Sequence, residues 1–270
     1  MDLLNVYTPP NTSDPIDLGI VTVAIIFAIT AAVGNKLSLP LFARGNSLLS
    51  YSKFAEGVNA GIDVPSKVGM TIMYAPACAI GYYYLFYCAD SDRTKIAALL
   101  MIIHFGKRVL ECQLLHKYSG TMPLSTGLFV SNFYAILSLC TCYYSARSPP
   151  LIYENEMFNI TGIGLALFSI GIAGNFYHHY LLATLRKPGE KGYKVPAGGL
   201  FELLAAPHYL FELIGWFGVS LITKHSVSFL FFVAMSCYLF ERADAQHNWN
   251  LLKLKDLYPI SRKRILPFIW

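Results

Sequence analysis

Apolar and polar positions alternate along this chain in long blocks. The apolar blocks approach the roughly 20 residues that a helix needs to cross a bilayer, and few segments show the three- or four-residue spacing of a soluble surface helix. We therefore predict an all-α, polytopic membrane fold with about seven transmembrane helices. The apolar blocks span residues 16–34, 66–88, 96–115, 126–146, 158–182, 203–222 and 226–240.

The polar segments between the blocks are short, with two exceptions. Residues 36–64 and 186–199 combine charges with glycine and proline, which favour loops over regular structure. The sequence contains no internal repeat and no low-complexity tract, and the first block lacks the basic flank of a signal peptide. We predict a single membrane domain over residues 1–270.

Composition agrees with a membrane protein, since 55% of the residues are hydrophobic and only 14% are charged, too few charges to cover a soluble domain of this length. If seven helices alternate across the bilayer, 17 of the 21 lysines and arginines fall on one side. The positive-inside rule assigns that side, with the C-terminus, to the cytosol and the N-terminus to the lumen. The net charge of +5 is therefore a topology signal, and nucleic acid is not an expected partner.

The histidine and cysteine positions do not favour a metal centre. The six cysteines lie in or beside apolar blocks, where small buried thiols are ordinary. His178, His179 and His208 could join a carboxylate around an ion, but adjacent histidines on a helix point about 100° apart. We predict no metal site. The sequence also lacks G-x-G-x-x-G, so a dinucleotide would not be bound by a Rossmann fold.

Ionisable residues interrupt the third apolar block. His104, Lys107, Arg108 and Glu111 have the spacing that shares one face of a helix. Lys107 and Arg108 also fit the end of a spanning helix, where long basic side chains reach the headgroups. Glu111 is flanked by leucines and does not fit that role. Because charges inside a bilayer are costly and often mark function, we favour an Arg108–Glu111 pair within a cavity.

Two more polar clusters lie near the end of the fifth block and the start of the sixth. The first contains Asn175, His178, His179 and Arg186, and the second contains His208, Tyr209 and Glu212. Guanidinium groups bind phosphates through paired hydrogen bonds, and carboxylates and amides can bind a ribose or a carboxamide. These clusters predict a helical cavity for an anionic cofactor.

Four ordered motifs occupy much of the last 86 residues. They are Leu-Arg-Lys-Pro-Gly-Glu at 185–190, Gly-Tyr-Lys-Val-Pro-Ala-Gly-Gly-Leu-Phe-Glu at 192–202, Tyr-Pro-Ile-Ser-Arg-Lys at 258–263 and Leu-Pro-Phe-Ile-Trp at 266–270. They resemble the steroid 5α-reductase (3-oxo-5α-steroid 4-dehydrogenase) family, in particular its plant-type members. Segments 104–111, 115–123 and 207–212, with Asn175 and His179, resemble the very-long-chain enoyl-CoA reductases of the same family.

The resemblance implies an oxidoreductase that uses NADPH to reduce a conjugated carbon–carbon double bond in a lipid, first of all the 4-ene of a 3-oxosteroid. It implies an enzyme of the endoplasmic reticulum membrane, with membrane lipids and a steroid or acyl-CoA small molecule as partners. Residues 1–160 would then supply the substrate-side helices, and residues 161–270 the NADPH-binding region.

The resemblance also implies roles for individual residues. Tyr209 would donate the proton, and Lys107 and Arg108, oriented by Glu111, would stabilise its phenolate and polarise the carbonyl. The residues implied in cofactor binding are Asn175, His179, Arg186, Tyr193, His208, Glu212, Arg242 and His247. The residues implied in substrate binding are Tyr74, His104 and Phe105.

Two departures from the family pattern keep alternatives open. Steroid reductases hold the 3-ketone with a glutamate and a tyrosine where this chain has Tyr74 and Phe105, and the spacing from His247 to Tyr258 is one residue longer than expected. The alternatives are a trans-2-enoyl-CoA reductase of very-long-chain fatty-acid elongation, a membrane methyltransferase that uses S-adenosylmethionine, and a non-catalytic lipid-binding homologue.

Overall fold

The computed structural model describes residues 7–33, 62–118, 120–149, 151, 159–186, 190 and 192–270. Within these ranges, each predicted apolar block forms an α-helix. The helices are α1 (Pro15–Val33), α2 (Ser66–Tyr83), α3 (Asp92–Leu110), α4 (Leu124–Ser145), α5 (Ile160–Thr184), α6 (Pro207–Thr223) and α7 (Ser226–Leu254). Wider π-helical turns, Tyr84–Cys88 and Glu111–Leu115, extend α2 and α3. The predicted helical architecture is therefore confirmed.

A short antiparallel pair of strands adds to the expected helices. Strands β1 (Asp63–Pro65) and β2 (Thr121–Pro123) pair with Val64 opposite Met122. The pair joins the segments that lead into α2 and α4, so it fixes the starts of these two helices side by side. The predicted loop 36–64 lies mostly outside the described residues.

Three helical segments in the described part of the chain are long and apolar enough to cross a membrane. They are Leu124–Ser145, Ile160–Thr184 and Ser226–Leu257, which makes the chain a membrane-associated protein. The other helices do not meet that standard within the described residues. In α3 the cause is charge, because Asp92, Arg93 and Lys95 lie at its start and two further cations lie near its end.

Helices α5 and α6 pack with their backbones in near contact. A Cβ atom added to Gly171 would lie 2.5 Å from the backbone nitrogen of Gly215, and one added to Gly218 would lie 2.5 Å from the carbonyl oxygen of Gly164. Small residues at matching positions permit this close approach in membrane proteins. The contact holds the start of α6 against the second half of α5, where the polar clusters of both helices lie.

One end of the bundle is closed by buried polar contacts. The guanidinium of Arg93 donates to the carbonyl oxygens of Pro149 and Ile222 and to the hydroxyl of Thr161. The hydroxyl of Tyr144 donates to Asp17 at 2.6 Å. Arg93 therefore connects α3 with the ends of the segments that carry α4, α5 and α6.

A layer of irregular chain covers the opposite end. The segment after α7 pairs with the segment before α6, since the N–H groups of Ala205 and Ala206 donate to Lys263 and Arg264, and that of Lys263 donates to Leu203. Arg262 donates to the carbonyl oxygen of Pro196 at 2.7 Å. This layer lies where α5 ends and α6 begins.

Candidate active site

A cavity of about 310 Å³ lies at the covered end of the bundle, between α2, α3, α5, α6 and α7. Eight of the predicted site residues line it: Tyr74, Arg108, His179, Arg186, His208, Tyr209, Glu212 and Arg242. They come from sequence positions up to 168 residues apart. The fold thus brings most of the three polar clusters to one place.

Arg108 is the centre of the hydrogen-bond network at the inner wall. Its guanidinium donates to the hydroxyl of Tyr74 at 2.9 Å and to Nδ1 of His179 at 3.0 Å, and it forms an ion pair with Glu111. The side chain is almost completely buried, at 9% exposure. The predicted Arg108–Glu111 pair is present, and the membrane-surface role considered for Arg108 is wrong.

Lys107 and Glu111 stand behind this wall and do not line the cavity. The ammonium group of Lys107 donates to Glu111 at 2.8 Å and to the side-chain oxygen of Asn175 at 2.6 Å. The amide nitrogen of Asn175 in turn donates to the carbonyl oxygen of His208 at 2.8 Å. Asn175 therefore links α3 to the first turn of α6 and holds His208 in place, rather than facing the cavity as the cofactor assignment implied.

Three imidazole rings follow one another along the cavity. The ring of His179 lies 5.1 Å from that of His116 and 5.3 Å from that of His208, and the ring of His208 lies 4.2 Å from that of Tyr209 (centroid distances). Burial and the charge of Arg108 lower the pKa of His116, in the connection after α3, to about 4. His116 is therefore neutral near pH 7.

The arrangement of His178, His179 and His208 around a metal, which the sequence did not favour, does not form among the described residues. Both ring nitrogens of His178 are engaged, one with the carbonyl oxygen of Gly174 and the other with the N–H of Leu200. A different trio, Glu111, His116 and His179, has potential ligand atoms within 4.8 Å of one another. Lys107 and Arg108 already neutralise Glu111 there, and these two cations would repel a divalent ion.

Positive charge dominates the outer part of the cavity. Lys117, Arg186 and Arg242 line it together with the inner Arg108, whereas Glu212 is its one carboxylate among the described residues. The ammonium group of Lys117 lies 3.3 Å from the carbonyl oxygen of Arg186, so α5 and the connection after α3 meet at the rim. This balance favours a ligand with several negative charges.

Four of the remaining predicted residues lie outside the cavity, a correction to their assignments. His104 and Phe105 pack against Trp216 of α6, with ring centroids 4.7 and 6.0 Å away. Phe105 is fully buried. Trp216 thus covers the part of α3 that carries His104 and Phe105, and the part that carries Arg108 faces the site.

Tyr193 belongs to the covering layer, and His247 lies on α7 and contacts the segment that follows this helix. The ring of Tyr193 lies 4.5 Å from that of Trp249, and Nδ1 of His247 lies 3.3 Å from the hydroxyl of Tyr258. His247 therefore contacts Tyr258, eleven residues later in the sequence, despite the longer spacing between them.

Several lining residues were not predicted. They are Met70, His116, Lys117, Tyr118, Tyr134, Leu182, Ala183, Tyr238, Leu239 and Gln246. Tyr134 stacks on Tyr74 at 5.6 Å, but no spacing distinguishes it among 18 tyrosines. His116 could have been predicted from the sequence, because it lies in segment 115–123, one of the segments that resemble the enoyl-CoA reductases.

Sequence comparison supplies the family. The profile described as 3-oxo-5-alpha-steroid 4-dehydrogenase matches residues 120–270. The chain is 30% identical over 234 residues to 3-oxo-5-alpha-steroid 4-dehydrogenase 1 of Bos taurus, covering 81% of this chain and 87% of the relative. It is 42% identical over 233 residues to the Mus musculus protein of the same name, covering 82% and 87%.

A relative from the other branch also matches. The chain is 31% identical over 189 residues to a very-long-chain enoyl-CoA reductase of Dictyostelium discoideum, covering 68% of this chain and 62% of the relative. The family resemblance of the motifs at 185–202 and 258–270 is thereby confirmed. This chain belongs to the 3-oxo-5-alpha-steroid 4-dehydrogenase family, whose named relatives are oxidoreductases.

Proposed function

We propose that the chain uses NADPH to reduce a carbon–carbon double bond conjugated to a carbonyl group in a lipid. The observation that carries the proposal is the cavity wall in which Arg108, Tyr209 and Glu212 meet. It combines a cation for a carbonyl oxygen, a hydroxyl that can supply a proton, and a carboxylate that can accept hydrogen bonds from a cofactor. Family membership supports the same class of reaction.

The residues of the cavity fit a phosphate-bearing dinucleotide. Arg186 and Arg242 supply guanidinium groups, which bind phosphates through paired hydrogen bonds. Nδ1 of His208 is buried and has no hydrogen-bond partner among the described residues, so a ligand group can satisfy it. Glu212 would accept from a ribose or carboxamide. When bound, NADPH supplies the hydride that adds to the β-carbon of the substrate.

Arg108 would stabilise the negative charge that develops on the carbonyl oxygen. Its contacts to Glu111, Tyr74 and His179 hold the guanidinium in one orientation before substrate arrives. A fixed, buried cation is effective because little reorganisation is needed during the reaction. Tyr209 would donate the proton to the α-carbon, and the cations of the cavity would stabilise its phenolate.

The first substrate class we propose is the 4-ene of a 3-oxosteroid, as the names of the bovine and mouse relatives suggest. A second class, a trans-2-enoyl-CoA, is favoured by a specific observation. Phe105 has no hydroxyl and is fully buried, and the hydroxyl of Tyr74 is engaged with Arg108, so a steroid-type ketone clamp is not formed by these positions. The Dictyostelium relative carries the name of that second activity.

Purified protein in lipid nanodiscs tests the reaction and the substrate together. The loss of NADPH absorbance would be followed with a 3-oxo-4-ene steroid and, separately, with a long-chain trans-2-enoyl-CoA. We expect turnover with one of them. If neither substrate consumes NADPH while the protein still binds lipid, the reductase proposal is wrong and the non-catalytic homologue is the better account. Binding of S-adenosylmethionine in place of NADPH would instead support the methyltransferase.

Two substitutions test the residue roles. Tyr209→Phe should lower kcat by about 100-fold or more, the usual effect of losing a general acid, with NADPH affinity retained. Glu212→Gln should weaken NADPH binding by roughly 10-fold or more, as expected for a lost hydrogen bond to a charged group. Tyr180→Phe is the matched control, since Tyr180 is exposed on α5 and lies outside the cavity lining. Full turnover by Tyr209→Phe would refute the proton-donor role.

We further propose a multi-pass protein of the endoplasmic reticulum membrane with all seven helices spanning it. The N-terminus would be lumenal and the C-terminus cytosolic, in line with the distribution of basic residues. Residues 161–270 would supply most NADPH contacts, and Tyr74 and Arg108 of the first part the substrate side. Protease protection of tags at the two ends, in sealed microsomes, would check the orientation.

A further inference from the structure

A tight turn at Leu266–Trp270 presents two large apolar side chains that are largely uncovered in the described part of the chain. Phe268 is 80% exposed and Ile269 is 76% exposed. The turn is well defined, because the N–H of Leu266 donates to the carbonyl oxygen of Trp270 at 3.0 Å and the N–H of Trp270 donates back to Leu266 at 3.2 Å. The exposure therefore belongs to a folded element.

Phe268 occupies the left-handed backbone region, with a φ of 65°. A bulky side chain there is strained, and glycine would adopt the same conformation without penalty. Strain of this kind persists where the surroundings of the residue favour it, and it often marks a functional position. The side chain of Phe268 is mostly uncovered, so side-chain contacts among the described residues do not account for this conformation.

Contacts with α7 place this turn at a defined level of the bundle. The ring of Trp270 lies 5.2 Å from that of Phe240. Phe240 ends the apolar run of α7, and Glu241 and Arg242 follow it directly. With 29 residues, α7 is about 44 Å long, longer than the roughly 30 Å hydrocarbon core. The charged end of α7 therefore extends past the core, and Phe240 is the last residue of the apolar run that precedes it.

Cationic and aromatic groups around the turn match the chemistry of a lipid headgroup region. The guanidinium of Arg264 lies 5.1 Å from the ring centroid of Trp270 and pairs with Asp244. Lys263 is its neighbour in sequence and is partly exposed. Tryptophan and basic residues are enriched where a protein crosses from hydrocarbon to headgroups, and exposed apolar side chains beside them insert into that boundary.

From these observations we propose that the 266–270 turn is an interfacial membrane contact, with Phe268 and Ile269 inserted at the boundary of headgroups and acyl chains. The occupant of this surface is the bilayer that α7 would cross, because the contact between Trp270 and Phe240 places the exposed side chains of the turn beside the end of the apolar run of α7. The proposal does not depend on the reaction that the enzyme catalyses.

The contact would tie the covering layer to the membrane. Lys263 and Arg264, just before the turn, pair through their backbones with Leu203, Ala205 and Ala206, which lead into α6. Insertion of the turn would therefore fix the layer above the cavity at a constant height relative to the bilayer.

Tryptophan fluorescence in lipid nanodiscs tests the proposal. Phe268→Trp adds one indole to the three of the native chain, and its emission is obtained by subtracting the spectrum of the native protein. Leu252→Trp is the matched control, because Leu252 is 76% exposed but lies twelve residues beyond Phe240 on α7, about 18 Å farther along the helix axis. Each protein is measured in phosphatidylcholine with ordinary and with dibrominated acyl chains, which quench indoles at membrane depth.

We expect the added emission of Phe268→Trp to be blue-shifted and quenched several-fold more by brominated lipid than that of Leu252→Trp. If Phe268→Trp does not yield folded protein, Ile269→Trp replaces it with the same expectation. Red-shifted, unquenched emission would overturn the proposal. So would blue-shifted emission that brominated lipid leaves unchanged, since that result indicates a second copy or another protein over the turn. Equal quenching of Leu252→Trp would also overturn it, because α7 would then lie along the membrane surface.

Discussion

Replacing Gly171 by alanine tests how closely α5 and α6 must approach. The new Cβ would lie 2.5 Å from the nitrogen and 2.6 Å from the Cα of Gly215, and 2.7 Å from the carbonyl oxygen of Phe211. Carbon atoms in contact normally stand about 3.5–4.0 Å apart, so the helices would have to separate by roughly 1 Å. All three obstacles are backbone atoms, which cannot rotate away as a side chain could.

The expected destabilisation follows from two opposing terms. Overpacking a close contact costs about 1–3 kcal/mol, whereas replacing glycine by alanine inside a helix gains up to about 1 kcal/mol. Because the obstacles are rigid, we expect a net loss of about 1–2 kcal/mol in the free energy of unfolding. In a protein of this size that corresponds to a midpoint lower by roughly 2–8 °C.

Thermal unfolding of the purified protein, followed by intrinsic fluorescence, measures this difference. Gly215→Ala is the control at the same interface, because its Cβ would lie 3.7 Å from the Cα of Gly171, an ordinary contact. Gly19→Ala is a second control with nothing within 4 Å. Both should keep or slightly raise the midpoint. If Gly171→Ala matches its controls, the close approach of α5 and α6 is not a requirement of the fold.

Three further predictions concern buried polar groups. Glu111→Gln leaves the lysine and arginine one turn before it uncompensated, so the free energy of unfolding should fall by about 3–5 kcal/mol, measured by thermal unfolding; an unchanged midpoint would contradict the network. Arg93→Met leaves buried carbonyl oxygens without a donor and should cost about 1–3 kcal/mol for each, whereas the exposed Arg147→Met should cost little by the same measurement. Burial lowers the pKa of His225, between α6 and α7, from 6.5 to about 4. At a pH between these two values, the unfolded chain binds a proton at His225 and the folded chain does not. Stability should therefore fall as the pH decreases from 6.5 to about 4, and His225→Asn, which does not titrate, should flatten that part of the profile of unfolding midpoint against pH.

The helices could be predicted from the sequence because apolar block length is a strong signal. Each predicted block coincides with one of the described α-helices, and most ends differ by a few residues, but α7 continues 14 residues past its block, to Leu254. The β1–β2 pair was not predicted. Its pairing depends on which two connecting segments come together in the fold, and strands of three residues leave no periodic pattern in the sequence. Three-residue alternation between polar and apolar positions is too short to predict a strand.

The site could be predicted only as far as helix faces allow. The spacing of His104 and Arg108 shows that they share a face of α3, but not which half of that face Trp216 would cover. Asn175 carries an amide that could bind a ligand, yet this amide is hydrogen-bonded to Lys107 and to the backbone of His208. Such competition between partners depends on tertiary distances, which no spacing within one helix reveals.

The buried Arg93 has a consequence for how a bulky lipid reaches the cavity. By connecting α3 to the carbonyl oxygens after α4 and at the end of α6, it holds together the end of the bundle remote from the cavity. Opening that end would leave a buried guanidinium and its carbonyl partners without hydrogen bonds, which is costly. A lipid substrate would therefore enter from the covered end, and the remote end would stay shut.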